Sequence, residues 1–384
     1  MPGSPARASL ADVARQARVS LSTASRVAND NGYPVAPGTR DRVLAAVRAL
    51  NYSPSALARA LVTKRTNIVG VLVGDVGDPY FAEIVRGVED VARRAGYLVI
   101  VCNSDRDPHT ELGYLRSLLD YHVDGIVLAG GGLLDTGYGR ALKRAVAELE
   151  RHGTVVVALA KTPAMVPSVT IDNHAAAVAM TAYLVNLGHR RLAVIAGPPN
   201  VTTARERLQG VLDGLAARGL EPHRVVEGNF TALGGAQAAA ELLDLATPPS
   251  AMFAMNDLMA IGALETAHER GVDIPGELTL VSFGDTAASR QAWPPLTSVS
   301  VPRHELGATA MEALLGQLQE GRPIANKLLS FGLAIRASSA PPRDTGGARL
   351  ATSAAPARLD SPQPRRFSST PRPAGWQASS TPDG

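Results

Sequence analysis

The 384-residue chain has a single cysteine, Cys102, and aromatic residues make up only 4% of it. One cysteine excludes an intramolecular disulfide and a zinc site built from cysteines alone. No stretch approaches the ~18 uninterrupted apolar residues of a membrane-spanning helix, and residues 1–20 lack the apolar run of a secretory signal. A soluble, cytoplasmic protein with no membrane partner is expected. Catalytic signatures are missing as well. There is no His-Glu-x-x-His pair, no Gly-x-Ser-x-Gly elbow and no phosphate-binding loop, and the eight histidines are scattered. Gly130-Gly131-Gly132 lacks the spacing and the strand-then-helix setting of a dinucleotide fingerprint. Neither a metal, nor a cofactor, nor an enzymatic activity is expected.

What charge there is lies unevenly. The formal net charge is +3, but residues 1–65 hold ten Lys/Arg against three Asp/Glu. Residues 338–384 hold six Arg against three Asp, which leaves residues 66–337 net acidic. A basic end on an acidic body suits a polyanion gripped at one end. By charge alone, a solvated basic face would read the same.

Residues 1–7 read as a loose tail, 8–52 as three short helices and 53–65 as a connector. From Asn67 the pattern becomes short apolar runs alternating with amphipathic helices. The runs are Ile68–Val73, Leu98–Cys102, Gly125–Ala129, Val155–Leu159, Leu192–Ile195, Val225–Gly228, Ala251–Ala254 and Leu278–Phe283. Strands and helices in alternation imply an α/β fold with parallel sheets. One wide sheet, a barrel or two smaller sheets would fit this spacing equally. The Ser/Pro/Ala/Arg-rich segment 338–384 cannot bury enough apolar area to offset its ordering entropy, and reads as disordered. It has no leucine heptads for a coiled coil.

The N-terminal helices are specific in their chemistry. Leu10, Val13, Ala14 and Ala17 mark one face of the first, and Val19 closes a turn. Ser20 is a good N-cap for a second helix, Leu21–Ala28. That helix buries Ala24, Val27 and Ala28 and presents Ser22, Thr23, Ser25, Arg26 and Asn29 outward. Small polar side chains plus Arg suit the major groove, where Arg can bond guanine in bidentate fashion. A third helix, from about Thr39 to Leu50, buries Val43, Val47 and Leu50 as a brace. A generic three-helix bundle would share this pattern. The next segment favours the DNA reading. After Asn51-Tyr52-Ser53, Pro54 can open a new helix carrying Ser55, Ala58 and Leu61. Leu61 could wedge between base pairs in the minor groove, or could be a core leucine of a linker.

Taken in order, these residues resemble the LacI/GalR family of bacterial transcription regulators. The match runs through Leu10-Ala-Asp-Val-Ala-Arg-Gln-Ala17, Val19-Ser-Leu-Ser-Thr-Ala-Ser-Arg-Val27, Thr39-Arg-Asp-Arg-Val43, Asn51-Tyr-Ser-Pro54 and Ala58-Arg-Ala-Leu61. It continues through Asp78-Pro-Tyr-Phe-Ala82, Asp124-Gly-Ile-Val127, Leu187-Gly-His-Arg-Arg191, Asn256-Asp-Leu-Met-Ala-Ile-Gly262 and Pro295-Leu-Thr297. The resemblance implies a helix-turn-helix headpiece (8–52), a hinge helix (53–65) and a periplasmic-binding-protein-like core (66–337). Within the core it implies two Rossmann-like subdomains, one of about 66–171 and 300–326, the other of about 172–299 and 327–337. It further implies a homodimer on a pseudo-palindromic double-stranded operator, its grip set by a small-molecule effector, a carbohydrate or a derivative, between the subdomains. The residues it offers for DNA are Leu10, Ser20, Leu21, Ser22, Thr23, Ser25, Arg26, Asn29, Thr39, Tyr52, Ser55, Ala58 and Leu61. For the effector it offers Asp78, Tyr80, Phe81, Arg207, Phe230, Asn256 and Asp285, at strand ends where ligands of open α/β sheets bind.

Several positions depart from the family pattern. Arg18 stands where the turn usually has Gly. Ala160-Lys161 replaces a frequent Asp-Arg pair. Gly284-Asp285 replaces two acids, so the cleft is atypical for a sugar. Asp257 is expected to cap its helix and His189 to be a structural turn residue. Two other functions share the core pattern. A free-standing solute-binding protein would need an export signal and no basic headpiece. An enzyme on Rossmann-like halves would need a residue set that the chain does not display.

Overall fold

A computed structural model describes residues 8–29, 33–53 and 65–343. The headpiece is three helices: α1 (Leu10–Ala17), α2 (Leu21–Ala28) and α3 (Pro37–Ala49). Ser9 and Asp12 close a reciprocal capping box on α1. Val13, Ala14, Ala17, Ala24, Val27, Val43 and Ala46 form a small core of their own. Val47 and Leu50 pack against it half-buried, as does Tyr52. Ala28, expected inside, is also only half-buried. The turn into α2 begins at Arg18, whose backbone is left-handed (φ 54°, ψ 50°). A side chain there costs on the order of 1 kcal/mol relative to glycine. Arg18→Gly is therefore expected to stabilise the headpiece by about 1 kcal/mol, read as roughly five-fold slower amide exchange in α1 and α2 of the full-length protein.

Among the described residues the core holds two main sheets, parallel except for one edge strand of the second, and a two-stranded pair, rather than one wide sheet or a barrel. The first contains β1 (Ile68–Val73), β2 (Leu98–Asn103), β3 (Gly125–Leu128) and β4 (Val155–Ala158), in the order β2-β1-β3-β4. Between these strands run α4 (Pro79–Arg94), α5 (Pro108–Asp120) and α6 (Thr136–Arg151). Parallel strands covered on both faces read as continuous apolar runs, and Ile68-Val-Gly-Val-Leu-Val73 is one.

After a short β5 (Val169–Ile171) and α7 (Asn173–Asn186), the chain builds a second sheet. It comprises β6 (Leu192–Ala196), β7 (Arg224–Glu227), β8 (Ala251–Ala254), β9 (Thr279–Gly284) and β10 (Thr297–Ser300). Its helices are α8 (Thr202–Ala216), α9 (Ala232–Leu243), α10 (Asp257–Glu269) and the short α11 (Ala287–Gln291). α12 (Arg303–Glu320) returns to pack on α4. β11 (Lys327–Leu329) then pairs with β5, and β12 (Gly332–Ala334) adds antiparallel to β10. The second sheet is thus ordered β12-β10-β9-β8-β6-β7. Among the described residues no helix is long and apolar enough to cross a membrane.

One expectation is corrected here. The segment starting at Ser338 is not loose at its beginning. Ser338 is fully buried and sits between β9 and β10. Its carbonyl accepts from Leu280 N at 2.9 Å, its N–H reaches Pro295 O, and its hydroxyl oxygen accepts from Thr297 N at 2.8 Å. Ser339 bonds the hydroxyls of Tyr183 and Thr297, and Ala340 exchanges bonds with Thr279. The order comes from hydrogen bonds to distant strands, which composition does not reveal. The rest of the expected tail, from 344 on, lies outside the described residues.

Candidate functional site

The candidate DNA-reading face is built on α2. Ser20 is its N-cap, accepting from Thr23 N at 3.2 Å, and its hydroxyl also meets those of Ser22 and Thr23. Leu21 is 55% exposed although apolar, and it sits at the first position of the helix. Ser22 and Arg26 are exposed, while Thr23 and Ser25 are half-buried on the same outward side. The Arg26 guanidinium rests over the Tyr33 ring, 5.0 Å from its centroid. Asn29 ends the helix, donating back to Ser25 O at 3.0 Å. Leu10 and Thr39 lie half-buried near the helix starts, and Tyr52 leans on the small core. Ser55, Ala58 and Leu61 lie outside the described residues.

The second site is the cleft between the two sheets. Asp78 caps α4, accepting from Tyr80 N at 2.9 Å, and Pro79 takes the first helical position, where no N–H is needed. Asn256 caps α10, accepting from Met259 N and donating to Phe230 O, both at 2.9 Å. Arg207 rises from α8. Its Nε donates to Asn173 Oδ1 at 3.0 Å, one terminal nitrogen donates to Met255 O at 2.7 Å, and its plane lies 3.8 Å from the Phe283 centroid. Asp78, Tyr80, Arg207, Phe230 and Asn256 line one cavity of about 50 Å³. Burial pushes the Asp78 carboxyl up, opposed by the Tyr80 N–H and the Arg106 guanidinium. Burial also lowers the pKa of the Arg207 guanidinium.

Two expected cleft residues are elsewhere. Phe81 faces the core beneath α4, edge-on to Tyr80 at 5.5 Å, and does not line the cavity. Asp285 is also absent from the lining. Its carboxylate is taken by Arg336 at 2.6 Å and by the Ser300 hydroxyl at 3.0 Å, with Arg290 at 3.7 Å. Its left-handed backbone (φ 57°) goes with that direction. Gly284 has φ 141°, and a Cβ there would stand 2.9 Å from Asp257 Oδ2. An acid in this position would meet another carboxylate.

Asp257 is not a cap either, since Asn256 fills that role. It is a buried acceptor for the hydroxyls of Ser282 (2.6 Å) and Ser298 (3.1 Å) and for Thr286 N (2.6 Å). His189 is a buried structural residue, bonded to Ser250 and to Ala340 O.

The cavity has lining that sequence reasoning missed: Arg106, Gly131, Val201 and Thr203. Arg106 follows β2 in a polar loop, so the strand-end rule used for the other residues would have found it. Its guanidinium lies 3.7 Å from Asp78 and 3.8 Å from Asp75, and reaches across the cleft to Phe230, 5.4 Å from the ring centroid.

Gly131 and Gly132 belong to a main-chain latch over the cavity. Leu134 N donates to Asn200 O at 2.8 Å, Thr202 N donates to Gly132 O at 2.9 Å, and Leu133 bridges Val201. A Cβ on Gly131 would sit 2.6 Å from Val201, and Gly132 has φ 72°. Glycine is needed at both for this close approach. Lys161, in place of the family's frequent Asp-Arg pair, adds a 2.8 Å ion pair with Glu206 across the same mouth. Among the described residues no cluster of His, Cys, Asp or Glu is placed to hold a metal.

Comparisons with known proteins bear on both sites. Residues 9–55 match the model for bacterial regulatory proteins of the lacI family, and 181–339 match that for a periplasmic binding protein-like domain. Catabolite control protein A of Priestia megaterium is 36% identical over 309 residues, 79% of this chain and 90% of that protein. The HTH-type transcriptional repressor CytR of Escherichia coli K12 is 34% identical over 337 residues, 86% of this chain and 96% of that protein. A lac repressor dimer bound to operator and the anti-inducer ONPF superposes with a TM-score of 0.76 at 27% identity, over 87% of this chain and 99% of that one. A three-helix headpiece ahead of a two-sheet cleft, and relatives that match nearly end to end, place this chain in the LacI family of bacterial DNA-binding transcription regulators with an effector-binding core.

Proposed function

We propose that the protein is a repressor that works in the bacterial cytoplasm, at the nucleoid, as a homodimer on a pseudo-palindromic operator. Its function is binding rather than turnover. The observation that supports this best is the α2 surface: exposed Leu21, Ser22 and Arg26 on a Ser20-capped helix of the basic end. In this reading Arg26 leaves the Tyr33 ring for a base edge, and Leu21 makes an apolar contact such as a thymine methyl. The neighbouring hydroxyls and Asn29 hold phosphates or base edges. Leu61 is assigned the minor-groove wedge. Leu98 and Val101, left exposed on the edge strand β2, are apolar surface that a second copy would cover. The effector is a small polar molecule in the cleft between the sheets, touching Asp78, Arg207 and Asn256, with Tyr80 and Phe230 as walls. Operator and effector then alter each other's affinity by the same factor.

The test is a gel shift with the full-length protein on the upstream region of its own gene, at fixed salt. Arg26→Ala is expected to weaken specific binding by about 1–3 kcal/mol while random DNA is bound as before. An equal loss on random DNA would make Arg26 a phosphate contact. The lack of a specific complex on that region and on the upstream regions of neighbouring genes would count against the regulator reading.

A further inference from the structure

The cleft holds more positive than negative charge. Its lining includes two guanidinium groups, Arg106 and Arg207, and one carboxylate, Asp78. That carboxylate is occupied, one oxygen accepting from Tyr80 N and the other lying 3.7 Å from Arg106. Arg207 is 6% exposed, and its hydrogen bonds reach neutral groups, Asn173, the Met255 carbonyl and the Tyr80 hydroxyl. The surrounding acids are engaged elsewhere. Asp257 accepts from Ser282, Ser298 and Thr286, Glu206 faces Lys161 and Asn173, and Asp75 lies on Arg106 without lining the cavity. Glu206, Asp257 and Asp78 act on Arg207 only from a distance, and a buried cation with no anion bonded to it is costly unless something supplies the opposite charge. The cavity, about 50 Å³, is also small beside the ~300–1,000 Å³ of ordinary ligand pockets. The latch must part for the cleft to admit a ligand of sugar size.

We propose that the effector carries a carboxylate or phosphate seated between Arg207 and Arg106, with its less polar part against Phe230. This rests on the cleft being the effector site. Guanidinium groups bind either oxyanion through charge-assisted, often bidentate bonds. Arg106 becomes the determinant of charge selectivity. It reaches from the first sheet toward Phe230 of the second, so an anion on it also ties the two halves together.

The experiment titrates full-length protein with inorganic phosphate and with two matched sets. These are D-glucose, D-gluconate and D-glucose 6-phosphate, and D-ribose, D-ribonate and D-ribose 5-phosphate. Unfolding temperature is followed first, then calorimetric Kd for whatever binds. Millimolar phosphate is expected to raise the unfolding temperature. At least one charged member should bind ten-fold or more tighter than its neutral parent, and Arg106→Gln should remove about ten-fold of that affinity. Which charged member wins separates a carboxylate from a phosphate. Neutral parents that bind as tightly as their charged partners would overturn the proposal. So would no response to phosphate or any charged member at about 10 mM. Binding lost in Phe230→Ala but kept in Arg106→Gln would keep the cleft as the site and reject the anion. Binding that survives both substitutions would place the ligand elsewhere and reject the cleft reading itself.

Discussion

Ending the chain after Ala337 is expected to destabilise the core by roughly 3–6 kcal/mol, whereas ending it after Arg343 should leave stability within about 0.5 kcal/mol. The shorter cut removes Ser338, whose carbonyl and hydroxyl accept from Leu280 N and Thr297 N in the two buried strands β9 and β10. Each buried N–H left without a partner costs about 1–3 kcal/mol. The bonds of Ser339 to Tyr183 and Thr297, and of Ala340 to Thr279 and His189, go with it. Against a total stability of about 5–15 kcal/mol this is a large fraction. Urea unfolding of the two truncated proteins measures it, and coincident midpoints would show that the segment contributes nothing.

The same contacts predict a pH effect. Burial holds the His189 pKa below its ordinary value, outweighing the Ala340 carbonyl that pulls it up. The folded state therefore prefers the neutral ring, with Nε2–H donating to Ala340. This contribution is present above the unfolded pKa, about 6.5. It is lost as pH falls from there toward the depressed folded value, because the unfolded chain takes up the proton first.

The second large effect is expected at Asp257. Asp257→Ala would leave the Thr286 N–H and the Ser282 hydroxyl without their acceptor, and leave the Ser298 hydroxyl only the longer bond to Val299 O at 3.3 Å. Offset partly by removing a buried charge, the loss should still be about 2–4 kcal/mol. Asp257→Asn keeps the shape. Its oxygen can accept from Thr286 while its amide donates to the serines, so it should lose less than half as much. Equal urea midpoints for the two variants would refute the network. Because these bonds join the start of α10 to β9 and β10 below the cleft, both variants should also alter ligand affinity.

How far the sequence revealed this arrangement follows physical lines. The eight apolar runs coincide to within a residue at either end with β1–β4 and β6–β9. For the inner strands this follows because strands covered on both faces must be apolar throughout, whereas the edge strands β2 and β7 carry apolar residues that are largely exposed or half-buried. β5, β10 and β11 escaped because they are short and carry polar side chains, and β12 because it is 3 residues long; partners far along the chain define β5, β11 and β12. Ser20 was legible as a cap because capping is local. The pairing of Asp285 with Arg336 was not legible, because the two are 51 residues apart. Phe81 follows the cleft residue Tyr80 by one position, and that step on a helix turns it inward. Arg106 was within reach of the strand-end rule, since it follows β2; only its contacts with Phe230 and Asp78 needed the fold to be seen.

Selection of full-length protein against a random pool of double-stranded DNA tests the central claim most directly. If α2 reads base edges from a homodimer, the enriched sequences will share a pseudo-palindrome with half-sites spaced for two headpieces. Arg26→Ala will lose preference at one position of each half-site. Enrichment of no sequence motif, or the same motif at undiminished strength from Arg26→Ala, would contradict the account.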